Sequence, residues 1–261
     1  MARFVAQLNP HVDFFHPDIL IPVGRAPGQL YVMGDNTNGK QLLRCPLATA
    51  TFVAAQPDPE PNLTIWNLAV NETEEDVLIT WPIETVMPST SALEYAAAHI
   101  LLTNNIHQQW AAYVAGVLVV LQRERGLHFA QGLHLFIALD LPAGHEFGSS
   151  AALSIATMQV VCAVCDLLLN GHEIALLCQK VEHEVVGTSA SRADQIIAID
   201  GEQNRLTVLN RQSAAHPTSL ALPSDLALWR ITVGAHLADH EMIRVAALWG
   251  IISWLIWHIQ M

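Results

Sequence analysis

Lysine is nearly missing. Lys40 and Lys180 are the only two in 261 residues, and Lys+Arg number 12 against 24 Asp+Glu, for a formal net charge of −12. A chain this acidic gains little from nucleic-acid phosphates or anionic lipid, which excludes a broad polyanion-binding face. One phosphate-bearing ligand is still allowed, because such sites use backbone N–H groups and magnesium more than net charge. Cysteine is scarce too: Cys45, Cys162, Cys165 and Cys178, the last three in apolar helical patterns. They read as reduced thiols of a cytoplasmic protein, not as a disulfide framework. Cys162 and Cys165 form a C-x-x-C, but no second Cys or His pair follows at zinc spacing. The pair also lies inside a helix instead of opening one, so zinc and redox roles are excluded. His236 and His240 stand four apart without an H-E-x-x-H, and no metal site is expected there. Residues 1–15 carry Asp13 and no continuous apolar core, so they are no signal peptide. The run 245–259 (VAALWGIISWLIWHI) is apolar except for Ser253 and His258. It is short of the ~20 residues that span a bilayer. A buried helix, or an exposed fragment of one, is the expectation, with a tail anchor as the alternative. Hydrophobic residues at 52% and charged residues at 14% exclude a disordered chain.

What is present is a mixture of strand and helix periods. Residues 56–62 (QPDPEPN) and 213–224 (SAAHPTSLALPS) read as linkers, the second as a domain boundary. Residues 63–70 and 77–81 read as strands. Residues 91–102 and 108–125 read as helices, the second burying Trp110, Tyr113, Val114, Val117, Leu118 and Leu121 at spacings of three and four. Residues 133–139 alternate as a half-buried strand. A long helix is expected over 149–169, stopped by Asn170-Gly171, and another over 172–186, ended by Gly187. Residues 195–199 and 205–209 read as the two strands of a hairpin, and 226–233 as a last strand. The class is α+β, with too few strict β-α-β alternations for a doubly wound sheet.

Two segments could carry chemistry. In LDLPAGHEFGSSAALSIAT (139–157) a strand ends at Pro142, a loop with Gly144 and Gly148 follows, and a helix opens at Ser149, Ser150 and Ala151. A helix start offers unpaired N–H groups and the positive end of the dipole to an anion. Phosphate binding and an ordinary serine-capped helix are both open on this ground alone. Neither a Walker P-loop nor a G-x-G-x-x-G is present. In VEHEVVGTSASRADQ (181–195), Glu182 borders an apolar helix face and needs a cation or a donor if it is buried. Asp194 follows a small-residue loop and could point into a cleft. A surface ion pair for Glu182 and a turn cap for Asp194 are the alternatives.

Together these segments resemble the galactokinase, homoserine kinase, mevalonate kinase and phosphomevalonate kinase (GHMP) superfamily. Residues 139–152 are similar to its second motif, P-x-G-x-G-x-x-S-S-A-A. Residues 181–195 are similar to the galactokinase segment A/V-E-H-x-x-G-x-x-x-G-x-x-D-Q. The first motif, A-P-G-R-x-x-x-x-G, is echoed by Arg25 to Gly34 (RAPGQLYVMG), and the phrasing is nearest to arabinokinase-like sugar kinases. The resemblance implies a GHMP-kinase-like N-terminal domain (ribosomal protein S5 domain 2-like) over 20–215, binding ATP and sugar. It also implies an incomplete start of a C-terminal domain over 225–261. It implies that Pro142, Gly144, Gly148, Ser149, Ser150 and Ala151 hold the phosphates of ATP and that Ser150 and Glu182 hold Mg2+. Asp194 would then orient the sugar hydroxyl and accept its proton. The chain departs from the pattern where the family's arginine beside that aspartate is replaced by Gln29. It departs again where Asp35, Asn36 and Asn38 stand in place of the sugar-reading acid and tyrosine. The third, glycine-rich motif is missing. The expectation is a cytoplasmic, ATP-dependent monosaccharide kinase acting at the anomeric hydroxyl, with an inactive relative as the alternative. Neither nucleic acid nor membrane is an expected partner. Self-association through Trp249, Trp254, Leu255 and Trp257 is.

Overall fold

The computed structural model describes residues 2–33, 41–68, 77–129, 131–141, 147–188, 192–210 and 217–223. Its organising element is one long strand, β2 (Gln41–Asp58), rich in Ala and Leu, a largely apolar run that suits a pleated surface covered on both faces. Along one edge β2 pairs antiparallel with β1 (Val23–Met33). Along the chain it also pairs with β5 (Gly132–Leu139) through 51–58 and with β6 (Arg205–Asn210) through 41–44. β3 (Asn62–Asn67), β4 (Leu78–Pro82) and β7 (Thr218–Ala221) complete a seven-stranded sheet in the order β4-β3-β5-β2-β6-β7, with β1 on β2. Among the described strands only the β3–β5 pairing is parallel.

The helices gather on one face: α2 (Tyr95–Thr103), α3 (Ala111–Arg125), α4 (Ser149–Val164), α5 (Gly171–Lys180) and α6 (Arg192–Asp200). α3 and α4 are apolar almost all round and are buried nearly so, as such helices must be. Val114, Val117, Leu118 and Leu121 of α3 meet Leu133, Leu135 and Ile137 of β5 in the main core. Each such side chain contributes about 1.5–3 kcal/mol on burial. The other face is covered by the N-terminal segment, which includes the short helix α1 (Ala2–Leu8). Phe4 stacks on Phe52 at 5.2 Å between ring centroids, with Phe15 and Phe136 alongside.

Several elements differ from the sequence expectation. β5 is buried on both faces, because Phe136 and Ala138 face the N-terminal segment while their neighbours face the helices. Residues 56–62 are no linker: Gln56 and Asp58 belong to β2, and the fully buried Gln56 amide donates to the His16 and Ile19 carbonyls at 3.0 and 2.9 Å. The helix expected over 149–169 ends at Val164, where Asp166 takes a left-handed conformation at φ 51°. Asn170 then opens α5 instead of closing α4. Its side chain accepts from Glu173 N at 3.0 Å, and the Glu173 carboxylate accepts from Asn170 N at 3.0 Å. Residues 195–199 form no strand but lie in α6, whose Ala193, Ile196 and Ile197 pack on Leu42 and Leu209. The stretch 213–224 contains β7, an edge strand. Residues 226–233 and the apolar run 245–259 lie outside the described residues. Among the described residues, no helix is long and apolar enough to cross a membrane.

Candidate active site

The sheet and the helix layer meet at the start of α4. Gly24 lets them meet closely: a Cβ there would lie 2.0 Å from the Ala156 carbonyl oxygen. With β1 pressed on α4, its register slips between Pro27 and Gln29, a bulge that re-aims the following side chains. Gln29 is then buried directly under the helix start. Its N–H donates to the Phe147 carbonyl at 2.9 Å, and its side chain lies against Gly148. Gly148 has φ 61° and a Cβ there would stand 2.6 Å from Gln29 Nε2, so glycine is required twice over. Beyond it, α4 opens with no side-chain cap, and Ser149 and Ser150 are half-buried. Among the described residues no side chain caps the first N–H groups of the helix, which suits them to an anion.

Glu182 approaches from the far end of α5, which continues into a π-helical turn over Val181–Val186. Single π turns often mark functional positions because they push one side chain out of helical register. Glu182 is only 2% exposed. Its described partners are neutral: Gln195 Nε2 donates to Oε1 at 2.5 Å, and the Ser150 hydroxyl hydrogen-bonds to the carboxylate. Burial first, and the nearby Asp194 charge second, push its pKa up to about 7, against the two hydrogen bonds. This carboxylate is buried, so it is no surface ion pair.

Asp194 sits in the first turn of α6, where the helix dipole favours a negative charge, and is 5% exposed. Burial raises its pKa, and Arg44 opposes that shift. Arg44 Nε lies 3.6 Å from Asp194 Oδ1, an ion pair longer than a hydrogen bond, with the arginine side chain wholly buried. The Tyr31 phenol faces the same carboxylate, and burial and Asp194 raise the Tyr31 pKa. Gln29 Nε2 donates to the Asp194 carbonyl at 3.2 Å. Gln29, Gly148, Ser149, Ser150, Ala151, Glu182 and Asp194 thus converge on one place. Pro142, Gly144, Asp35, Asn36 and Asn38 lie outside the described residues.

Arg44, Tyr31 and Gln195 were missed at the sequence level. Arg44 did carry a signal: it is the lone charge in the strand run Leu42-Leu43-Arg44-Cys45-Pro46-Leu47. A buried guanidinium needs a buried anion. Tyr31 carried none, because the carboxylate it faces is far off in sequence.

The donor set suits a hard cation and a phosphate. Ser150 and Glu182 offer oxygen ligands beside an uncapped helix start, and Asp194 Oδ1, Gln29 Oε1 and Gln195 Oε1 are buried oxygens without a hydrogen-bond donor among the described residues. The metal-free chain should show the burial of Glu182 directly. Because its folded pKa lies above the ordinary 4.5, the folded state keeps its proton where the unfolded state has lost it. Its contribution is complete below pH 4.5 and is lost as pH rises to about 7, a fall of roughly 3 kcal/mol. Urea unfolding at several pH values should show this fall, and Glu182→Gln should flatten it. Equal slopes in both proteins would place the titration elsewhere.

Comparisons with known proteins place the fold and the sequence among kinases. The family model described as GHMP kinases N terminal domain matches residues 112–202. The chain is 29% identical to the L-arabinokinase of Arabidopsis thaliana, over 87% of this chain and 24% of that protein. It is 27% identical to a galactokinase of Haemophilus influenzae, over 84% of this chain and 50% of that one. It therefore spans half or less of these relatives' length. Among solved structures, Lactococcus lactis galactokinase complexed with galactose superposes with a TM-score of 0.66 at 19% identity, covering 84% of this chain and 51% of that one. Methanococcus jannaschii mevalonate kinase follows the same fold, with a TM-score of 0.57 at 15% identity over 80% of this chain and 58% of that one. Residues 112–202 match the GHMP kinase N-terminal domain, and the chain is similar in sequence to galactokinase and L-arabinokinase and has the GHMP kinase fold.

Proposed function

We propose that the chain belongs to a sugar kinase that transfers a phosphoryl group from ATP to a monosaccharide, at the anomeric hydroxyl. One observation carries the reading: an uncapped helix start, an oxygen pair suited to magnesium and a buried aspartate meet at a single site. Phosphoryl transfer asks the protein for alignment and charge stabilisation more than for covalent chemistry. Gly148 and the N–H groups of Ser149, Ser150 and Ala151 would receive phosphate oxygens, with Pro142 and Gly144 in the preceding loop. Ser150 and Glu182 would hold Mg2+, which when bound neutralises phosphate charge. Asp194 orients the acceptor hydroxyl and takes up its proton. Asp35, Asn36 and Asn38 are the proposed sugar-reading residues. The four cysteines are free thiols, in keeping with a cytoplasmic setting.

Turnover of ATP against a panel of pentoses and hexoses tests the reading, and phosphorylation of none of them would reject it. A second reading, a relative that binds nucleotide or sugar without turnover, is favoured by Gln29, a neutral amide where the resemblance expects an arginine. Nucleotide binding without turnover would support it. Under the first reading, Glu182→Gln should raise the magnesium concentration needed for half-maximal rate by about tenfold, because it deletes one charged oxygen ligand. An unchanged magnesium requirement would remove Glu182 from the metal site.

A further inference from the structure

We propose that Arg44 is the positioning residue that holds the charge of Asp194, supplying from strand β2 the cation that Gln29 cannot supply from β1. The inference rests on the sugar-kinase reading and deepens it, because it names how this particular chain completes its site.

Arg44 is held through Nη1 and through the face of its guanidinium. Its Nη1 donates to the Met33 and Leu43 carbonyls at 3.0 and 3.3 Å. Its guanidinium stacks over the Tyr31 ring at 4.0 Å from the centroid, and Tyr31 is its cross-strand partner in the β1–β2 register. Its Nε faces Asp194 Oδ1 at 3.6 Å with no exposure to solvent. A wholly buried guanidinium is costly unless an anion compensates it, and among the described residues Asp194 is such an anion. Tyr31, which Arg44 stacks on, faces the same carboxylate, so arginine and phenol hold it from two sides.

Gln29 stands two residues before Tyr31 on β1 and reaches Asp194 as well, but through the main-chain carbonyl at 3.2 Å. Its side chain touches Gly148 on the way. Position 29 therefore lies between the helix start and Asp194, whereas Arg44 lies behind Asp194, on the Tyr31 side. Both positions reach the same aspartate from adjacent strands. A cation moved from 44 to 29 would still compensate the carboxylate. The swap of the two side chains is thus a direct test, and it changes neither the overall charge nor the composition.

Arg44→Gln is expected to lower kcat by about 10²-fold, the size of effect seen when one fixed electrostatic partner is removed, with KM for ATP changed by less than about threefold. Adding Gln29→Arg should recover at least about tenfold of the loss. Arg44→Lys should recover less, because the ammonium cannot both stack on Tyr31 and fork to the two carbonyls. A swap no faster than Arg44→Gln, or an Arg44→Gln protein within about twofold of the starting kcat, overturns the proposal. If the unaltered chain phosphorylates no sugar, the sugar-kinase reading fails by itself, and the pairing is read from unfolding. Arg44→Gln should lower the thermal midpoint, and Asp194→Asn added to it should return part of that loss, since no buried charge is then left over. Losses that simply add would show that Arg44 and Asp194 are not coupled.

Discussion

Asp194→Asn is expected to cut kcat by ~10²–10⁴ while leaving nucleotide affinity within a few-fold. The substitution keeps the shape and the hydrogen-bonding reach of the side chain but removes the negative charge and the proton acceptor. The nucleotide contacts proposed here lie at the start of α4 and at Glu182, so they should survive. The change has a structural cost as well. Arg44 is buried against Asp194 at 3.6 Å, and breaking a buried pair by neutralising one member costs about 3–5 kcal/mol. An unfolding curve must therefore accompany the kinetics. A folded, nucleotide-binding and inactive Asp194→Asn protein is the expected result. A folded variant with full turnover would show that Asp194 is not the base, and a folded variant that no longer binds nucleotide would place it at the phosphates instead.

The sequence made some of the site's members legible and left their connections hidden. Ser149, Ser150, Glu182 and Asp194 sit in segments of fixed spacing, and α3 was readable because its apolar residues recur every three and four positions. Boundaries were harder. Ile196, Ile197, Ala198 and Ile199 form a short apolar run, and such a run reads equally as a buried strand or as the inner side of a buried helix. Pairing it with 205–209 as a hairpin then favoured the strand, although α6 buries the same residues against Leu42 and Leu209. Asn170-Gly171 looked like a helix stop, yet the reciprocal bonds with Glu173 make it a helix start. The π turn that carries Glu182 has no local signature. Arg44 was hidden for a different reason: its anion lies 150 positions away, and only the pairing of β2 with β1 beneath α6 brings the two together. Residue chemistry can flag a solitary arginine in an apolar strand, but it cannot name the partner.

Gly24→Ala should be the most damaging small substitution in the fold. The added methyl carbon would sit 2.0 Å from the Ala156 carbonyl oxygen and 2.9 Å from its carbon, both main-chain atoms that no side-chain rotation can move aside. Either β1 or α4 must shift by more than an ångström. Both belong to the main core, where Ala26 and Val53 pack with Ala152, Ile155 and Ala156. Overpacking a tight interior usually costs about 1–3 kcal/mol, and here the clash is with backbone, so the upper end or beyond is expected. Against a typical total stability of about 5–15 kcal/mol, that is a large part of the whole. The shift would also lift Gln29 and the α4 start away from Asp194, because β1 carries the one and contacts the other. Any Gly24→Ala protein that stays folded should therefore lose turnover through misplacement, with its unfolding midpoint reduced in parallel. Arg25→Ala, one residue along on the exposed side of β1, serves as the control and should leave the unfolding free energy almost unchanged, within about 1 kcal/mol. Equal stability of the Gly24→Ala protein and the original chain would mean that β1 and α4 do not meet at this point, and the proposed route by which the fold brings Gln29 beneath the phosphate-binding helix start would be wrong.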